Sequence, residues 1–154
     1  MGNGEWLYHD VRIAGQNFPG AHVHESIWSD LLAESAQANS KRCAYLGRGG
    51  HHNWDDRFQE LIKTGLANTF SEINAESWKR QEGNNPTELF EEAFRCWRQS
   101  GGHWQVASRQ YILFGAGLAK SSRGIWYMSV VTAGKPLENP VPATINSYPE
   151  YKVW

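Results

Sequence analysis

Two of the six histidines follow a glycine pair, where a tight backbone can set an imidazole into a cleft: His51 in Gly49-Gly50-His51-His52, and His103 in Ser100-Gly101-Gly102-His103-Trp104. An acidic segment, Ser71-Glu72-Ile73-Asn74, lies between them. Two imidazoles and a carboxylate can hold Zn²⁺ with an open fourth position and lower the pKa of the water bound there. His51 and His103 are therefore the candidate metal ligands, with zinc as the candidate cofactor. His51, Glu72 and His103, with His52 and Trp104 beside them, are the candidate binding cleft. The chemistry is incomplete, because these residue types supply no separate general base, and a histidine after glycine also serves as an ordinary hydrogen-bonded turn residue. No HExxH, CxxC pair, GxSxG, P-loop or GxGxxG occurs, which counts against the common metalloprotease, hydrolase and nucleotide-binding classes. No residue is assigned a catalytic role.

The elements that must position these residues follow from periodicity. Residues 1–24 show no helical period and read as an irregular lead-in. From Glu25 to about Cys43, Ile27, Leu31, Ser35 and Ala38 share one face, with Trp28, Leu32 and Ala36 beside them, which predicts a helix stopped by Gly47, Gly49 and Gly50. Trp54, Phe58, Leu61 and Ile62 predict a second helix closed by Gly65. Ser71 to Trp78 reads as a third helical piece. Asn85-Pro86-Thr87-Glu88 is a helix start with an Asn cap and Pro in the first turn, and Leu89, Phe90, Ala93 and Trp97 form that helix's buried face. The glycine pair before His103 then reads as a turn.

The last third changes character. Tyr111 to Ala119 and Ile125 to Thr132 are rich in β-formers and flank Lys120-Ser121-Ser122-Arg123-Gly124, which predicts an antiparallel hairpin. Ile112, Phe114, Ala116 and Leu118 share one face of its first strand, while Gly115 and Gly117 thin the other for close helix packing. Helices first and a hairpin late indicate an α+β chain. Residues 135–154 contain Pro136, Pro140, Pro142 and Pro149 and read as an extended arm. Its Val141, Ile145, Tyr148, Tyr151, Val153 and Trp154 are too apolar for a free linker and suit docking, on the same domain or on a neighbouring chain.

A length of 154 residues is that of one domain with a core needing no staple. Cys43 and Cys96 are too few for a disulfide scaffold and read as reduced thiols on helices with apolar neighbours. Fifteen basic against sixteen acidic residues give a net charge of −1, which leaves no electrostatic footprint for nucleic acid. No apolar run approaches a membrane span, and the opening residues lack the pattern of a secretory signal. Eight Trp, six Tyr and six Phe must mostly fill the core, with a few left to line a groove.

The order of these pieces resembles the CAP superfamily, the SCP-like or pathogenesis-related class 1 domain. The resemblance runs from about Ile27 to Gly134 and is carried by the early helix Ile27-Trp28-Ser29-Asp30-Leu31-Leu32-Ala33-Glu34-Ser35-Ala36 and by Gly50-His51 followed by Trp54-Asp55-Asp56-Arg57-Phe58. Ser71-Glu72-Ile73-Asn74-Ala75 is similar to the family's Glu-Asn motif, with Ile73 in the Asn place and Asn74 one position late. Trp97-Arg98-Gln99-Ser100-Gly101-Gly102-His103 is similar to the turn of bacterial-type members, and Phe114-Gly115-Ala116-Gly117-Leu118-Ala119 with Gly124-Ile125-Trp126-Tyr127 to the closing strands. Ser100 stands where plant-type members carry a second Glu, so the resemblance supplies only His51, Glu72 and His103 of a two-His, two-Glu set. The family's opening helix has an echo only in His9-Asp10-Val11-Arg12.

What the resemblance implies is a CAP-type α-β-α sandwich with a central antiparallel sheet over residues 25–134. It implies a binding or scaffold domain with a His/Glu-lined cleft, placed extracellularly or on a particle, with a small hydrophobic ligand or a protein as partner. Two other readings compete. One is a structural subunit of a larger assembly such as a virion or surface layer, a homo-oligomer held through the C-terminal arm. The other is a metal-assisted hydrolase or peptidase.

Overall fold

The computed structural model describes residues 5–77 and 85–138. It opens with helix α1, Glu5–Gln16, where an irregular lead-in was expected. Leu7, Tyr8, Val11 and Ala14 recur at helical spacing and are buried, so the first helix contributes to the main core. A single 3-10 turn, Val23–Glu25, leads into a two-residue strand β1, Ile27–Trp28.

Helix α2 spans Asp30–Leu46, beginning five residues later than the sequence period suggests. The delay has a local cause. Ser29 is extended and its Oγ accepts a hydrogen bond from Leu32 N at 3.3 Å, an N-cap that fixes the start. Gly47 closes the helix in the left-handed conformation, with φ of 73°. Helix α3, Trp54–Lys63, follows as expected and Gly65 stands just past its end.

Residues 71–77, the described part of the segment expected to be helical, are not helical. Phe70–Glu76 forms strand β2, whose apolar Ile73 and Ala75 alternate with polar Glu72 and Asn74, and Trp78 lies outside the described residues. Pairing along its whole length with strand β4, Trp126–Ala133, overrides the helix-forming Glu and Ala residues. Helix α4, Pro86–Arg98, starts as expected, Asn85 Oδ1 accepting from Glu88 N at 2.9 Å. The glycine pair before His103 is not a turn but the start of a short helix α5, Gly101–Ala107, with Ser100 at the N-cap position.

Strand β3, Leu113–Lys120, and β4 form the expected hairpin. The sheet order is β1-β3-β4-β2, antiparallel except for the short β1, which runs parallel to β3. α1, α4 and α5 cover one face around Trp97, Phe90, Phe94 and Leu89, all buried; α2 and α3 cover the other around Leu32, Leu61 and Val131. This is an α-β-α sandwich of the α+β class. Gly115 lets α2 lie against the sheet, since a Cβ there would stand 2.2 Å from Ala33 N. The C-terminal arm beyond Glu138, with Val141, Ile145, Tyr148, Tyr151, Val153 and Trp154, lies outside the described residues.

Candidate functional site

The loop between α2 and α3 carries His51 and His52, and a buried polar network holds it in place. Gly50 has φ of 147°, a conformation that favours glycine. Its N–H donates to Asn74 Oδ1 at 3.1 Å, and its carbonyl accepts from Asn39 Nδ2 at 2.8 Å. Asn39 Oδ1 accepts from His52 N at 2.7 Å, and the His52 carbonyl accepts from Arg57 Nε at 2.9 Å. Ser129 ties Asn39, Ser40 and Asn74 together across α2, β4 and β2. The loop is thus fixed by side chains from three elements.

That anchoring brings His51 onto Glu72. Its Nδ1 lies 2.8 Å from Glu72 Oε1. The Glu72 side chain is only 1% exposed and the His51 side chain 43%. Arg57, on α3, donates to both carboxylate oxygens, Nη1 to Oε2 at 2.7 Å and Nη2 to Oε1 at 3.0 Å, and also donates to Ser35 Oγ at 2.9 Å. An ionised carboxylate only accepts, so the proton between His51 and Glu72 sits on Nδ1.

His103 comes from the opposite side, on α5. Its Nδ1 lies 2.8 Å from Ser100 Oγ, and its pKa is held below the ordinary value by burial and then by the charge of His51. His52 faces elsewhere, its Nε2 3.5 Å from the Arg48 carbonyl, and serves the loop through its backbone. Trp104 is turned to Arg98, whose guanidinium lies 5.7 Å from the ring centroid, and packs on the main core. The two cysteines form no disulfide, and burial with the charge of Glu72 raises Cys43 to about 11, which makes it a poor nucleophile.

Sequence reasoning named Asn74 and Arg57 only as members of motif segments, without a site role, and passed over Asn39. The signal for Asn74 was the period-2 alternation of β2, which sets it on the same face as Glu72. Arg57 stood in the Trp54-Asp55-Asp56-Arg57-Phe58 segment that carries the family resemblance, but only as a motif position and not as the partner of Glu72.

The residues present do not fit a zinc site. Both oxygens of Glu72 are engaged by Arg57, a cation that competes directly with a metal, which leaves two imidazoles where zinc takes at least three protein ligands. Among the described residues, no group of three or more His, Cys, Asp or Glu is placed to hold a metal ion.

No protein-family model matches the chain, and no curated protein matches it by sequence. Solved structures do. An outer surface protein from Borrelia burgdorferi superposes with a TM-score of 0.57 at 16% identity over 85% of this chain and 91% of that one. NaASP2, whose structure was determined with Zn²⁺, gives 0.50 at 14% identity over 84% and 77%. Venom allergen-like protein 4 from Schistosoma mansoni gives 0.48 at 17% identity over 94% and 99%. At these identities the likeness is one of fold. The chain shares the fold of these solved structures, an α-β-α sandwich of the kind that the sequence resemblance implies.

Proposed function

We propose that this chain is a CAP-like binding or scaffold domain whose recognition surface is the face formed by His51, His103 and the buried Glu72 beneath them, and that it works without turnover. The observation that carries the reading is the engagement of Glu72. A carboxylate whose two oxygens are already held by a guanidinium and an imidazole is poorly disposed to take up a metal, and serves instead to orient His51. The same observation weighs against the metal-assisted hydrolase or peptidase. The glycine pair and His103 favour the bacterial-type pattern within the superfamily.

The reading of an assembly subunit draws support from exposed apolar residues at the β1 flank, Ile27, Leu31 and Ile112. Extracellular or particle-associated placement is proposed from the fold, and the Borrelia burgdorferi protein of that fold is itself an outer surface protein. Among the described residues, no helix is long and apolar enough to cross a membrane.

Native mass spectrometry of protein purified without chelators, with light scattering on the same sample, tests these readings together. A retained non-covalent ligand lost in His51→Ala supports the binding domain. A defined oligomer abolished by deleting residues 140–154, with an unchanged melting midpoint, supports the assembly subunit. One zinc per chain contradicts the proposal.

A further inference from the structure

The flank of the sheet away from β2 and Glu72 has an open edge. β1 covers β3 only at Leu113 and Phe114, and among the described residues no strand pairs with 115–120 on that side. The antiparallel ladder alternates, so Phe114, Ala116 and Leu118 turn their backbone groups away from β4. Two contacts fix this sense: the Phe114 carbonyl accepts from Ser29 N at 2.8 Å, and Leu118 is met by Gln37. Gln37 Nε2 donates to the Leu118 carbonyl at 2.8 Å while its Oε1 accepts from Leu118 N at 3.0 Å. A primary amide presents a donor and an acceptor side by side, as a peptide does. Gln37 thus makes at Leu118 the reciprocal pair that a neighbouring strand would make.

Beside this edge a cavity of about 610 Å³ opens between α1 and α2, within the size range of ligand sites. Trp6, Leu7, Ala33 and Ala38 wall it, and Ala116 and Leu118 form its inner side. It does not include His51, Glu72 or His103. A Cβ on Gly115 would meet Ala33 and one on Gly117 would meet Gln37, so α2 and β3 run in the same direction along the groove. The α2 wall is therefore acidic at its start, with Asp30 and Glu34, and basic at its end, with Lys41. Asp30 and Lys41 lie about 16 Å apart along a helix rising 1.5 Å per residue. That is roughly the length of a five-residue strand.

We propose that this edge binds an extended peptide segment of a partner protein by strand addition. The segment pairs with Ala116 and, on displacing the Gln37 amide, with Leu118. It places an apolar side chain in the cavity, a basic residue against Asp30 and Glu34, and an acidic one against Lys41. The backbone edge and the charge of opposite sign at the two ends select a peptide over a purely apolar small molecule. In the free protein Gln37 shields the edge from indiscriminate pairing. This inference does not rest on the histidine face.

Fluorescence anisotropy of a labelled Lys-Thr-Val-Thr-Val-Thr-Glu peptide against the full chain tests it, beside a copy N-methylated at alternate amides. Saturable binding is expected, weakened about tenfold by methylation of the pairing amides and about threefold by Trp6→Ala. Gln37→Ala removes the internal competitor and should tighten binding about threefold. Thermal melts verify that each variant is folded. The proposal is overturned by equal binding of the methylated copy, by Gln37→Ala weakening the complex, or by a fluorescent fatty acid saturating the cavity while the peptide does not bind.

Discussion

Glu72 and Arg57, 15 residues apart in sequence, meet through two hydrogen bonds at 2.7 and 3.0 Å, with the carboxylate side chain 1% exposed and the guanidinium side chain 10%. Their attachment to β2 and α3 makes the pair a clasp between the sheet and the outer helix. Removing one partner leaves the other buried and uncompensated. Arg57→Ala and Glu72→Ala should each cost about 3–5 kcal/mol. The double replacement Arg57→Met with Glu72→Leu should recover part of that loss, and calorimetric melts of the wild type, Arg57→Met, Glu72→Leu and the double measure the coupling.

His24 supplies a pH prediction. It is 2% exposed, its ring packs edge-on against Phe94, and its Nδ1 has no hydrogen-bond partner. Burial, then the charges of His22 and Arg12, lowers its pKa from 6.5 to about 4, with Glu25 Oε2 4.0 Å from Nε2 on the other side. Because the folded chain binds this proton more weakly than the unfolded one, the contribution is complete above pH 6.5 and is lost as pH falls toward 4. The loss is about 3 kcal/mol. Denaturant melts across that window should show a fall in the wild type that His24→Leu lacks.

Two glycines should respond in opposite directions to the same change. A Cβ on Gly115 would strike the α2 backbone, whereas one on Gly101 meets nothing within 4 Å in the first turn of α5. Gly115→Ala should destabilise by at least about 2 kcal/mol, because backbone cannot give way as a flexible side chain can. Gly101→Ala should be neutral or stabilising by up to about 1 kcal/mol. Paired thermal melts decide both.

Much of this architecture is legible in the sequence where local chemistry and packing agree. The Asn85 cap, the α4 face with Trp97, and the thin face of β3 at Gly115 and Gly117 are such places. α1 was hidden because Trp6 and Ile13 are exposed apolar residues on its outer side, which blurs the stripe of Leu7, Tyr8, Val11 and Ala14. β2 was misread because Glu72, Ala75 and Glu76 favour helix in isolation, and only pairing with β4 decides against it. Of the candidate residues His51, Glu72 and His103, the structure shows His51 in contact with Glu72, and both were legible as residue types. The role of Glu72 was not, because it depends on Arg57, whose approach is set by how α3 packs.

Zinc titration by isothermal calorimetry at neutral pH, on protein purified without chelators, most directly tests the claim that Glu72 is an orienting carboxylate held by Arg57 and not a metal ligand. The expected result is no stoichiometric uptake, with the wild type and Glu72→Gln giving the same trace, since the carboxylate is engaged in both directions by residues of the chain itself. Uptake of one zinc per chain that is abolished in a folded Glu72→Gln variant would contradict it.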